Sequence, residues 1–204
     1  MSLFPTEAQV LDLPKAEVIY YPNFLEVKEV TSIFESLQKE TPWQQDDITV
    51  FGKIYAQPRL TALYANNNLP YSYSNITMHP HSFTPLIDNL RKQIEKHTEA
   101  TYTACLLNLY RDGKDSNGWH SDDEKELGRN PTIASLSLGA SRVFKFRSKE
   151  EKSKIKSLVI EPGSLLLMKG ETQHNWQHQL PKTSKKVTAR INLTFRKIIA
   201  KESL

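Results

Sequence analysis

Cysteine is nearly absent from this chain: Cys105 is the only one in 204 residues. One thiol cannot close an internal disulfide or build a cysteine-rich zinc site, and the sequence points instead to a reducing setting. Long apolar runs are missing too. No stretch approaches the roughly 18 consecutive apolar residues of a membrane span. The opening MSLFPTEAQVLDLPK has no basic segment leading into an apolar one, so neither a secretory leader nor a membrane partner is expected. The expectation is an intracellular monomer, cytoplasmic in a bacterium and nuclear in a eukaryote. No repeat of fixed period and no low-complexity tract occurs, which excludes a solenoid and a largely disordered chain.

What is present suits one domain with its own core, at 38% hydrophobic and 25% charged residues. The net charge of +4 and a pI near 9.0 lean toward a polyanionic partner. A lysine-rich solvated surface has the same sum, so placement matters more. Lys53 and Arg59 flank one motif, Lys182, Lys185 and Lys186 follow His178, and Arg142, Lys145 and Arg147 alternate along a β-prone run.

Two helices are expected in the first half. Asn23 with Glu26 has the form of a capping box, after which Val27, Val30, Phe34 and Leu37 recur at helical spacing to about Lys39. Thr84 as cap and Pro85 as first residue open a second helix to about His97, with Leu86, Leu90 and Ile94 inward. EVIYYP near the start reads as a short strand. From Thr132 onward TIASLSL, SRVFKF, IKSLVIE, SLLLM, HNWQH and VTARINLTF are short β runs, broken at Gly139, at 149–156 and at Pro162-Gly163. Many late strands after two helices imply an α+β chain, mainly β with flanking helices: a double-stranded β-helix, or jelly roll, with the helices against one sheet. The expected organisation is a single domain over 1–204. Residues 1–100 form an extension and lid with two supporting helices, and 101–204 form the jelly-roll core.

The chemistry concentrates in NLYRDGKDSNGWHSD, residues 108–122. His120 and Asp122 are two apart, so in an extended segment they project to one side. They are two thirds of a facial site in which two His and one carboxylate hold iron(II) and leave other positions open. Alone, such a pair is common on solvated surfaces. Two histidines downstream compete for the third place, His174 and His178. The closing RINLTFR alternates Arg190, Asn192, Thr194 and Arg196 against Ile191, Leu193 and Phe195, a strand with one apolar face and one face carrying two guanidiniums. Buried arginine is rare without an anion. Asn108 and Tyr110 repeat the spacing on a strand entered from TACLLNLY. A pocket lined by a metal, Arg, Asn and Tyr suits a small dicarboxylate. On a straight strand Arg190 and Arg196 stand about 20 Å apart, at different ends of it.

The set NxY, HxD, H and RxNxTxR, in this order, resembles the AlkB family of iron(II)- and 2-oxoglutarate-dependent dioxygenases, most of all its duplex-DNA repair members. NLYRDGKD, HSDDEKEL, IASLSLGASRVFKFR and RINLTFRKI carry the likeness from about Val50 to Ile198. The resemblance implies that His120, Asp122 and His178 bind iron and that Asn108, Tyr110, Arg190, Thr194 and Arg196 bind 2-oxoglutarate. The implied reaction spends O2 and 2-oxoglutarate, giving succinate and CO2, to hydroxylate an N-methyl carbon that then leaves as formaldehyde. The implied substrates are 1-methyladenine and 3-methylcytosine in duplex and single-stranded DNA. Two alternatives are the same chemistry on RNA or a protein side chain, and a non-catalytic jelly-roll module that binds nucleic acid.

The same resemblance implies that the N-terminal half is a nucleotide-recognition segment. ITVFGKIYAQPRL holds two short β runs around Phe51-Gly52, a hairpin signal with an aromatic at its tip. A Phe at a turn often tucks into the core. The resemblance instead implies a finger, Phe51, Gly52 and Lys53, that wedges into the base stack, with Arg59 reaching a phosphate. Tyr71 and Tyr73 flank Ser72 in YSYS, a spacing found in cores and on base-stacking platforms alike; by resemblance they line the base pocket. Asp123 and Glu124 after the HxD pair are either solvated loop or, by resemblance, contacts to a cationic methylated base, with Asp123 preferred over Glu124.

Overall fold

Strict alternation makes the last strand the seam of the molecule. In the computed structural model the apolar residues Ile191, Leu193 and Phe195 point to a core shared with the helices, while the residues between them face the other side. The structure describes residues 7–50, 52–67, 71–73 and 76–199, and for 49, 50, 71–73, 76 and 77 it describes the backbone only.

In chain order the strands of the first half are β1 (Gln9–Val10), β2 (Glu17–Tyr21), β3 (Asp47–Val50), β4 (Lys53–Ala56), β5 (Leu60–Ala65), β6 (Tyr71–Tyr73), β7 (Ile76–Met78) and β8 (His81–Ser82). Helix α1 (Val27–Glu40) follows β2 and helix α2 (Pro85–Thr98) follows β8. Then come β9 (Ala104–Tyr110), β10 (Asn117–His120), β11 (Ile133–Gly139), β12 (Arg142–Ser148), β13 (Ile155–Ile160), β14 (Leu165–Lys169), the short helix α3 (Thr172–Asn175), β15 (Trp176–Leu180) and β16 (Arg190–Arg196). A major sheet runs in the order β1-β2-β14-β11-β16-β9-β5-β8 and a minor sheet in the order β10-β15-β12-β13, with β3-β4 and β6-β7 as separate hairpins. Neighbours far apart in sequence pair antiparallel, as β9 with β16 and β11 with β16, which is the jelly-roll arrangement expected. Among the described residues, no helix is long and apolar enough to cross a membrane.

Two of the three buried apolar clusters among the described residues hold these layers. Ile87, Leu90 and Ile94 of α2 and Leu37 of α1 pack on Leu107, Leu136, Ile191, Leu193 and Phe195, so both helices lie on one face of the major sheet. Phe146, Ile160, Leu166, Met168 and Trp176 form a second cluster with residues from both sheets. Each fully buried apolar side chain of this size contributes on the order of 1.5–3 kcal/mol, and the two clusters fix the spacing of the sheets at the site.

Several expectations are corrected. Glu26 is the N-cap of α1 and makes no side-chain cap bond, so no Asn23–Glu26 capping box forms at that register. The chain enters the helix with the Leu25 amide already donating to the Gly163 carbonyl, a tertiary contact that sets the start. Thr84 does cap α2, accepting from the Ile87 amide at 3.3 Å, but Ile87 rather than Leu86 is the fully buried first-turn residue. The inward arc runs through Ile87, Leu90 and Ile94, and Leu86 lies on its flank. HNWQH divides, with His174 and Asn175 in α3 and the strand starting at Trp176. The expected strand at VTARINLTF begins only at Arg190.

Candidate active site

β9 and β16 lie side by side with Tyr110 opposite Arg190 and Asn108 opposite Asn192. This register collects the inward residues of both strands on one surface. Ser135 of the next strand, β11, lines the same cleft, together with Leu106, Thr194 and Arg196. Side chains knit the face. Asn192 Oδ1 accepts from Ser135 Oγ and from Arg190 Nη2, both at 2.8 Å, and Asn192 Nδ2 donates to Thr194 Oγ1 at 2.7 Å. Arg190 Nη2 also donates to Ser137 Oγ at 2.8 Å, and its guanidinium lies 5.4 Å from the centre of the Tyr110 ring.

The opposing wall is the minor sheet. His120 at the end of β10 pairs directly with His178 on β15, so two histidines distant in sequence are cross-strand neighbours with ring centres 4.2 Å apart. Asp122 follows just beyond β10, its backbone amide donating to the buried Gln173 Oε1 at 2.9 Å. His120, Asp122 and His178 each offer a ligand atom, and these lie within 4.8 Å of one another. The Gly118 carbonyl, 2.8 Å from His120 Nδ1, can only accept, so Nδ1 carries the proton and Nε2 carries the lone pair, which accepts from Asn117 Nδ2 at 3.3 Å. Phe144 stacks on the His178 ring at 5.4 Å and 23°. His174, the rival for third ligand, is exposed on α3 and outside this group.

Electrostatics suit a cation. Burial depresses the pKa of both imidazoles, at His178 with added repulsion from His120, which keeps them neutral. Burial pushes the Asp122 carboxyl up, but Arg196, His178 and His120 together outweigh it and hold it below the usual range. Two neutral imidazoles and one carboxylate on one side of a cleft are the donor set of a facial iron(II) site. The fit to a dicarboxylate rests on Arg190. It is 2% exposed, its Nε has no hydrogen-bond partner, and no carboxylate pairs with it among the described residues. Burial lowers its pKa to about 10. An arginine buried without a counter-ion has the charge and donors to fit a carboxylate ligand.

The expected nucleic-acid residues separate. β3 and β4 form the hairpin, with Val50 opposite Lys53 and Gly52 at φ 75° in its two-residue turn. The left-handed backbone there is why the turn carries glycine. Lys53 and Ile54 are exposed; Phe51 lies outside the described residues. Tyr71, Ser72 and Tyr73 form β6, paired with β7. The placement of Arg59 on a phosphate is corrected: it is 4% exposed and donates through Nε to Oδ1 of Asn108, a residue lining the cleft, at 2.8 Å. Arg142, one of the three cations along its β run, is likewise buried, donating to the carbonyls of Asp112, Asp115 and Pro181. Asp123 is exposed and paired with Lys149 at 3.0 Å. Burial lifts the Glu124 carboxyl to about 7, and its Oε2 has no partner. Ser135, Ser137, Phe144 and Gln173 were not anticipated; the alternation SLSL placed both serines on one face, but nothing local marked it as the pocket side.

The model of the 2OG-Fe(II) oxygenase superfamily matches residues 17–196. The alpha-ketoglutarate-dependent dioxygenase alkB homolog 3 of Homo sapiens is 45% identical over 198 residues, covering 90% of this chain and 66% of that protein. The DNA oxidative demethylase ALKBH2 of Homo sapiens is 38% identical over 181 residues, covering 84% and 69%. The chain thus spans about two thirds of the length of these relatives. A solved structure of OsALKBH1 superposes with a TM-score of 0.66 at 17% identity, over 88% of this chain and 97% of that one, and shows the same fold. With a family model over most of its length and relatives this similar, the chain belongs to the 2OG-Fe(II) oxygenase superfamily and, within it, to the AlkB family of iron(II)- and 2-oxoglutarate-dependent dioxygenases.

Proposed function

We propose that this protein is an oxidative demethylase of N-alkylated bases in DNA, with 1-methyladenine and 3-methylcytosine as substrates. The observation that carries the reading is the meeting of His120, Asp122 and His178 in the same cleft as the buried, carboxylate-free Arg190. His120 Nε2, an Asp122 oxygen and His178 would hold iron(II). Arg190 would take one carboxylate of 2-oxoglutarate, with Asn108, Tyr110, Thr194 and Arg196 around it. Bound there, the metal and cosubstrate supply two-electron oxidation of an N-methyl carbon by O2, with 2-oxoglutarate becoming succinate and CO2. The hydroxymethyl product breaks its N–C bond: the electron pair returns to the ring nitrogen and neutralises the cation, the hydroxyl proton is lost to solvent, and formaldehyde leaves.

The chain's own part is to position and to exclude. Phe144 against His178 and Leu106 beside Asn108 line the cleft with apolar surface. Outside it, the β3-β4 hairpin stands away from the core with Lys53, Ile54 and Tyr55 exposed, a shape suited to entering a duplex and offsetting the few kcal/mol of unstacking. Glu124 rather than Asp123 is the acidic residue left to meet a cationic base, because Lys149 already neutralises Asp123. The names of the relatives, one of them a DNA oxidative demethylase, support DNA as the substrate class.

The test is formaldehyde and succinate release from matched duplex, single-stranded and RNA oligonucleotides carrying one 1-methyladenine, with His120→Ala as control. Release from DNA that requires His120 is expected. Turnover confined to RNA would move the substrate. Absence of release from every oligonucleotide, with 2-oxoglutarate left intact, would sink the enzyme reading.

A further inference from the structure

We infer that Arg59 is a positioning residue that sets the orientation of the Asn108 amide toward the cosubstrate, an inference that rests on the oxygenase reading above. Arg59 lies just before β5, its backbone amide donating to the Gln57 carbonyl at 2.8 Å, while the Ser116 amide donates to the neighbouring Pro58 carbonyl at 2.9 Å. Its side chain turns inward. Nε donates to Asn108 Oδ1 at 2.8 Å and Nη1 to the Ser116 carbonyl at 3.3 Å. No carboxylate pairs with it among the described residues.

The chemistry of the two groups fixes the amide. A guanidinium has donors and no acceptor, so the asparagine atom facing it must be the oxygen. Nδ2 is then the other end of the amide, and no hydrogen bond from it occurs among the described residues. Asn108 lines the same cleft as Tyr110 and Arg190. A carboxylate in that cleft only accepts. With Arg59 in place Asn108 meets it with a donor; with the amide free to turn over, half its orientations would set oxygen against oxygen. Arg59 also leaves one more uncompensated positive charge beside a site built for a dianion, in a setting where burial strengthens it.

A purely structural Arg59 would tie the segment after the hairpin to β9 and do no more, and calorimetry separates the two. The full chain, loaded with Mn(II) in place of iron so that nothing turns over, is titrated with 2-oxoglutarate. Arg59→Ala should weaken 2-oxoglutarate binding by about 10–100-fold, the range for losing one charge-assisted hydrogen bond, with Mn(II) affinity unchanged. Arg59→Ala combined with Asn108→Ala should bind no worse than Asn108→Ala alone, since one residue acts through the other. Guanidinium ion added to Arg59→Ala should restore part of the loss. Asn108→Asp is the sharpest variant: its carboxylate would pair with Arg59 and keep the thermal midpoint, yet present oxygen to the cosubstrate and abolish binding. If Arg59→Ala does not fold, Arg59→Lys enters the same titration and should fall between parent and Asn108→Ala.

Parent-like binding by the Arg59 variant, additive penalties in the double variant, or parent-like binding by Asn108→Asp would each overturn the inference while leaving the oxygenase reading standing. A parent that shows no saturable 2-oxoglutarate binding would overturn that reading, and this inference with it.

Discussion

Arg196 Nη2 donates to Asp122 Oδ1 at 2.8 Å, with both side chains almost wholly buried. The other carboxylate oxygen, Oδ2, is the one that stands 4.0 Å from His178 Nε2. The last strand therefore occupies one lone-pair side of the carboxylate and leaves the second aimed at the imidazoles. One oxygen is spent on orientation and the other is available to a cation.

From this contact comes the first prediction. Arg196→Met removes the partner that orients Asp122, and divalent metal affinity should fall about 10–100-fold, the usual cost of losing an outer-shell hydrogen bond. Titration with Mn(II) checks it. Arg196→Lys should recover part of the affinity, because an ammonium can reach one carboxylate oxygen.

Arg190 leads to an opposite pairing of effects. A buried guanidinium whose pKa is pushed down to about 10 destabilises the ligand-free fold. Arg190→Met should therefore raise the stability of the ligand-free protein by about 1–3 kcal/mol while abolishing the rise in thermal midpoint that Mn(II) with 2-oxoglutarate gives the parent. Thermal unfolding with and without the ligand reads both. A destabilised variant that still responds to 2-oxoglutarate would contradict the assignment.

The third prediction concerns Arg142, whose guanidinium holds the carbonyls of Asp112, Asp115 and Pro181 at 2.7–3.0 Å. Arg142→Ala should cost about 2–4 kcal/mol, from buried carbonyls left without donors, as measured by urea unfolding. Oligonucleotide affinity measured on the folded variant should stay at the parent value, because this cation does not face solvent.

Alkaline pH supplies the fourth. Burial lifts the Tyr102 hydroxyl from 10.0 to about 12, against a weaker lowering by Thr98, which lies 3.1 Å away. The folded state thus favours the protonated phenol. Its contribution is fully present below pH 10 and is lost as pH rises from 10 to about 12, where the unfolded chain ionises first. Urea midpoints across that interval should fall for the parent and fall less for Tyr102→Phe.

Legibility followed the range of the interaction. The capping of α2 by Thr84 and Pro85 was readable because a cap bonds within three residues. The start of α1 was misplaced because a long-range bond from Leu25 to Gly163 decides it. The β3-β4 hairpin was readable from Phe51-Gly52, since a two-residue turn with a left-handed second position is local chemistry. The resemblance puts Arg59 on a phosphate and the sequence leaves the face of Arg142 open; only the packing of neighbouring strands shows both to be interior donors. Lys149 on Asp123 could not be seen either, for the two residues meet across separate loops.

By itself the sequence determined what alternation and composition can carry: a β-rich chain with one thiol, the HxD pair on one side of a segment, and a closing strand with polar and apolar faces. Those properties depend on neighbours in the chain and survive without knowing the fold. The resemblance already implied His178 as the partner of His120; the tertiary structure supplied the physical reason, the pairing of β10 with β15 that sets His178 opposite it. The tertiary structure alone decided that Arg59 donates to Asn108 in the interior, and that Asp123 pairs with Lys149 while Glu124 Oε2 has no hydrogen-bond partner among the described residues. Strand register and burial fix those outcomes, and both are properties of the whole assembly of strands that no single segment contains.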